Sequence, residues 1–289
     1  MVVHPRDPAA EPGARELSCQ VARQAVRAGT PGAEHVPLLV YSGIFRDEFS
    51  QEPAQAPYVQ RALGDAAGQS TANPDGSFCL DMDRLMTAVE MADGAIRSRN
   101  LSAALVVAAD CAVEFAEPQG VRLPDSASAL LLKPSLDEGF VAFHTAVFGE
   151  FMELHQAHLR WTGEHHKHIL TVIETPRFLP ACLETAASTV HAFLEDVNLD
   201  LNPGLLVIPS QWPMGFPAGL ASRLGLAPAQ VVDLTTADDT PALTAGPLAA
   251  LALARRDGRY QAAQDILFVT VEPGIVVSAA LYRKPAGRI

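Results

Sequence analysis

Residues 78–110 read FCLDMDRLMTAVEMADGAIRSRNLSAALVVAAD, and they decide the fold class. Ser77 to Leu80 reads as a short strand after the turn signal Asn73-Pro74-Asp75-Gly76. Leu85, Val89, Ala92 and Ile96 then recur at helical spacing. They mark one buried face of a helix running to about Arg99. Ala103 to Ala109 (AALVVAA) is apolar without alternation, the pattern of a strand covered on both faces. Strand, helix, buried strand is a βαβ unit, which implies a mostly parallel sheet carrying helices.

The flanking sequence extends this pattern. Upstream, Leu17, Val21, Ala25 and Ala28 predict a helix over 14–28, stopped by Gly29, Pro31 and Gly32. Val36 to Tyr41 is a buried strand closed by Ser42-Gly43. A loop over 51–57 leads to a helix over 58–64, and 65–76 is loop. Downstream, Ala127 to Leu132 is a further strand. The second half predicts strands over 140–148, 170–173, 205–209, 231–234, 266–271 and 275–281. Its helices are predicted over 178–197, 217–224 and 240–255. The two halves share an order, with anchors Leu38-Leu39-Val40 and Leu205-Leu206-Val207, and Leu105-Val106-Val107 and Leu267-Phe268-Val269. The expected organisation is a tail or short strand over 1–13, one half over 14–137, and a second over 138–289.

Composition narrows the classes of function. Of 289 residues, 48% are hydrophobic and 19% charged, an ordinary globular balance. A net charge of -12 without any Lys/Arg run excludes a basic footprint for nucleic acid. It also argues against a strongly basic dock for an acidic carrier protein. Residues 1–13 lack the apolar core of a signal peptide, and no apolar run is long enough for a membrane span. The expected location is the cytoplasm. Cys19, Cys79, Cys111 and Cys182 show no CxxC or metal spacing, so reduced, buried thiols are expected.

The ordered series of segments resembles the ketosynthase III enzymes. Residues 78–110 resemble that family's nucleophile strand, buried helix and following strand. Ser126 to Leu132 (SASALLL) resembles the next strand. Leu205 to Leu224 resembles the segment carrying the family's catalytic His, and Asp233 to Leu253 the segment carrying its catalytic Asn. Asp265 to Tyr282 resembles its closing strands. The resemblance covers roughly residues 14–285. It implies an α/β chain with the thiolase fold: two pseudo-repeated βαβαβ-type halves in an α-β-α-β-α layered body. It also implies dimers in which the strand equivalent to residues 103–109 pairs across a two-fold axis.

Active members use a Cys at a helix N-terminus, where the helix field lowers the thiol pKa. A His and an Asn then support decarboxylation and stabilise the enolate. Carried onto this chain, the Cys position is Met82 when aligned on the helix, or Arg84 when aligned on the strand. The His position is Ser210, in Ser210-Gln211-Trp212-Pro213. The Asn position is Asp239 or its neighbour Asp238. Met has no thiol, Ser cannot act as an imidazole near neutral pH, and a carboxylate repels an enolate. No catalytic residue, metal or cofactor is therefore expected.

The other reactive side chains have structural readings. Cys79 is read as a strand-core thiol three residues too early for the helix tip. Cys111 is expected to pack near a subunit interface. Asp81 and Asp83 are expected to cap the helix that begins near Arg84. His155 and His158 are placed on one helix face, and His165, His166 and His168 in an exposed linker. Trp161 and Trp212 are read as packing residues or the lining of a vestigial pocket. Three lost groups imply the non-catalytic, chain-length-factor-like subunit of a heterodimeric condensing enzyme. Its partner would be a Cys-containing ketosynthase III-type chain, with an acyl carrier protein as a further partner. An unusual acyltransferase and an acyl-chain-binding scaffold are the alternatives.

Overall fold

Sequence patterning becomes two four-stranded sheets that share a run of three strands. The computed structural model describes residues 13–29, 36–47, 54–66, 78–99, 101–111, 113–114, 122–161, 168–234 and 242–285. The turn at 73–76, His165, His166, Asp238 and Asp239 lie outside the described residues, as does the segment before Gly13. The chain forms two compact units. The described residues of 6–112 and 124–136 make one, and those of 113–123 and 137–289 the other.

In chain order the first half runs α1 (Ala14–Gly29), β1 (Leu38–Ser42), α2 (Gln55–Ala66), β2 (Phe78–Met82), α3 (Leu85–Arg99) and β3 (Ala104–Asp110). The two-residue strands β4 (Val113–Glu114) and β5 (Arg122–Leu123) pair with each other, and β6 (Ser126–Leu132) follows. The N-terminal sheet has the order β2-β1-β3-β6. β1 is parallel to β2 and β3, with Val40 between Leu80 and Val106, and β6 is antiparallel to β3. α1 and α2 pack together on one face, and α3 covers β1, β2 and β3 from the other. Hence every residue of β1 and β3 is buried, as their unbroken apolar runs require.

β3 therefore cannot supply a free edge. It lies between β1 and β6, which corrects the expectation that residues 103–109 pair across a subunit boundary. The edges of this sheet, among the described residues, are β2 and β6. α2 begins at Gln55 rather than residue 58, because Pro57 fits a helix's first turn and need not mark loop.

The second half runs β7 (Gly139–Val147), β8 (His155–Trp161), β9 (His168–Glu174), α4 (Phe178–Asp196), β10 (Leu205–Pro209) and α5 (Phe216–Leu224). It continues with α6 (Gly246–Arg256), α7 (Arg259–Ala262), β11 (Asp265–Glu272) and β12 (Val276–Arg283). Its sheet has the order β10-β11-β12-β7, and Val231 adds a single parallel bridge outside Val207. The strand predicted over 231–234 is thus reduced to one bridge. α6 starts at Gly246, not residue 240, since Pro247 is tolerated only in a helix's first turn. α4 and α5 share one core with β10, β11 and β12, built on Phe178, Val190, Phe216, Leu220 and Leu267.

The duplicated order is visible in the strands: β1, β3 and β6 recur as β10, β11 and β12, with the same parallel and antiparallel pairings. The anchors do not align residue for residue, however. Tyr41 faces Ser18 of α1, so Leu39 and Tyr41 point to the α1 side. In β10 it is Leu205 and Val207 that face α4 and α5. A shift of one residue exchanges the faces of a strand, so the matching LLV triplets sit one step out of phase. β8 was not predicted at all. It pairs with β9 over Trp161↔His168 to His155↔Glu174. Among the described residues no helix is long and apolar enough to cross a membrane.

Gly43, just past β1, cannot bear a side chain. A Cβ there would lie 2.0 Å from the Ala109 carbonyl oxygen. Gly43→Ala should cost about 2 kcal/mol by forcing β1 and β3 apart. Gly94→Ala, in α3 with open space around it, should stabilise by about 0.5–1 kcal/mol. Urea unfolding midpoints of the two variants check this contrast.

Candidate functional site

In open α/β sheets ligands collect at the carboxyl ends of the strands. In the N-terminal unit they are Ser42, Met82 and Asp110. Met82 closes β2, opposite Ser42, and is half-buried. Arg84 is half-buried immediately before α3, and its carbonyl accepts the Ala88 N–H at 3.0 Å. An arginine thus directly precedes a helix N-terminus, the end whose dipole favours an anion. α3 has no acidic residue in its first turn.

Asp81 does not cap α3. Its carboxylate accepts the N–H groups of Gln55 and Ala56, both at 2.8 Å, and so caps α2. Arg46 holds the same carboxylate at 3.1 Å. The reason for the correction is that β2 continues to Met82, so Asp81 is a strand residue facing the neighbouring loop. Asp83 is exposed. Asp110, 1% exposed, accepts the Ile44 and Phe45 N–H groups at 2.7 and 2.9 Å. Cys111 is buried, its thiol 3.1 Å from the Arg46 carbonyl.

The thiols are not prepared for nucleophilic attack. Burial, and then the Asp81 charge, push the Cys79 thiol up. Burial and Glu16 do the same for Cys19. Burial and Glu174 push Cys182 up to about 12. A reactive Cys requires a lowered pKa, the opposite direction.

In the C-terminal unit, β10 ends at Pro209 and leads into Ser210, which is buried. The Ser210 N–H donates to the Val269 carbonyl at 2.8 Å. Its Oγ accepts the Val271 N–H at 3.0 Å and lies 3.5 Å from the Val271 carbonyl. The hydroxyl therefore extends the β10–β11 ladder. Gln211, to which the sequence assigns no role, is fully buried. Its Nε2 donates to the carbonyls of Pro209 (2.9 Å) and Val232 (3.1 Å), while its Oε1 accepts the Leu234 N–H (2.8 Å). Gly246 opens α6 close against it, since a Cβ there would lie 3.0 Å from both Cβ and Cγ of Gln211. One amide thus ties together the end of β10, residues 232–234 and the start of α6. The only sequence signal was a polar residue directly after an apolar strand.

Trp212 packs against two rings. Its centroid lies 4.9 Å from His155 and 5.4 Å from Phe178. His155 also stacks at 4.9 Å on Phe178, and its Nδ1 lies 3.2 Å from Glu174 Oε2. His155 and His158 do not share a helix face, because both lie on β8, where residues three apart point to opposite sides. His158 is exposed beside Gln156. His168 starts β9 rather than lying in a linker. Among the described residues no group of three or more His, Cys, Asp or Glu is placed to hold a metal.

No protein-family model and no curated protein matches this sequence. Solved structures do. The 3-oxoacyl-[acyl-carrier-protein] synthase III of Aquifex aeolicus is 20% identical, with a TM-score of 0.77 over 96% of this chain and 87% of that one. The chain has the thiolase fold. The corresponding synthase of Pseudomonas aeruginosa is 19% identical, with a TM-score of 0.75 over 97% and 86% of the two chains. Xanthomonas campestris OleA, solved with lauric acid and lauroyl-CoA, is 18% identical, with a TM-score of 0.74 over 96% and 84%.

Two outcomes follow from this geometry. Gln211→Leu takes the partner from the buried carbonyls of Pro209 and Val232 and from the half-buried Leu234 N–H, and should destabilise by about 3 kcal/mol, measured by urea unfolding. Cys182 has a folded pKa above its unfolded value of 9.0. Its protonated thiol therefore contributes stability that is complete below about pH 9 and lost as pH rises toward 12. Between pH 9 and 11 the wild type should lose stability more steeply than Cys182→Ala, by up to about 1.4 kcal/mol per pH unit.

Proposed function

We propose that this chain is the non-catalytic, chain-length-factor-like subunit of a heterodimeric ketosynthase III-type condensing enzyme. It would act in fatty-acid-like, polyketide or secondary metabolite biosynthesis, in the cytoplasm. One observation carries the reading. At the position that the resemblance gives to the catalytic His stands Ser210, whose hydroxyl is engaged with the Val271 backbone. That group neither takes up a proton near pH 7 nor projects freely.

The nucleophile position supports the same reading. Neither Met82 nor Arg84 supplies a thiol, and burial raises the pKa of Cys79, the nearest in sequence. Asp239 or Asp238, at the Asn position, would add negative charge where an enolate develops. The thiolase fold is kept while these groups are replaced, which fits a chain retained for shape and association. The alternative acyltransferase reading needs an activated nucleophile, and the raised thiols weigh against it. OleA, a structural neighbour, was solved with lauroyl-CoA, so an acyl thioester is the substrate class we assign to the whole enzyme. In it the partner subunit would hold the Cys, His and Asn. This chain would support that subunit and shape its acyl tunnel, and an acyl carrier protein would deliver the chain.

A tagged pull-down from the native host, with intact-mass analysis of what co-purifies, tests this. A thiolase-fold subunit carrying Cys, His and Asn is expected in equal amount. Recovery of this chain alone, as a stable homodimer, would contradict the proposal.

A further inference from the structure

We draw no further inference here: the strongest candidate, the groove at the C-terminal end of α4 lined by Leu194, Leu199 and Leu201 and rimmed by Glu195 and Asp200, carries nothing, because acidic side chains beside a helix end are not a site by themselves and nothing in the structure shows what covers them.

Discussion

A parallel strand that is buried on both faces ends in backbone N–H and C=O groups that water cannot easily reach. Those groups must be paired, and the rest of this structure depends on how that is done. In the N-terminal unit carboxylates do it. Asp47 takes the N–H groups of Ala14 and Arg15, Asp81 those of Gln55 and Ala56, and Asp110 those of Ile44 and Phe45. Each carboxylate fixes the start of a helix or the turn after β1. In the C-terminal unit Ser210 and Gln211 do the corresponding work with a hydroxyl and an amide. The negative charges of Asp47 and Asp81 also suit the N-termini of α1 and α2, which they cap.

This use of polar side chains bears on chemistry. A catalytic group needs a lone pair or a proton free for the substrate. Ser210 and Gln211 are bound to backbone on the sides that are described, and Asp81 is shared between two N–H groups and a guanidinium. At these strand ends the polar side chains fasten backbone groups. The result is a fold held firmly at the ends of its parallel strands, with burial pushing the Cys79 and Cys182 thiols up.

Much of the fold could be read from apolar runs and helical spacing. β3 and β10 stood out because strands covered on both faces need unbroken apolar sequence, and α4 because its apolar face spans five turns. β8 escaped because HQAHLRW alternates polar and apolar residues only weakly and contains His155 and His158 at a spacing that also suits a helix. The β3 edge was misjudged because hydrophobicity reports burial and not strand order. Site residues were legible by position but not by role. Ser210 and Asp81 could be named, yet their bonds to Val271 and to α2 come from long-range geometry that spacing does not encode. Gln211 gave almost no signal, since a lone Gln after a strand has no pattern to mark it.

The central proposal is that this chain pairs the thiolase fold with the loss of the family's nucleophile. Intact-mass analysis of the proposed two-chain complex after brief exposure to lauroyl-CoA addresses it most directly. The account predicts an acyl adduct on the partner subunit alone, with the mass of this chain unchanged. A lauroyl adduct on this chain, at Cys79 or any other residue, would contradict it.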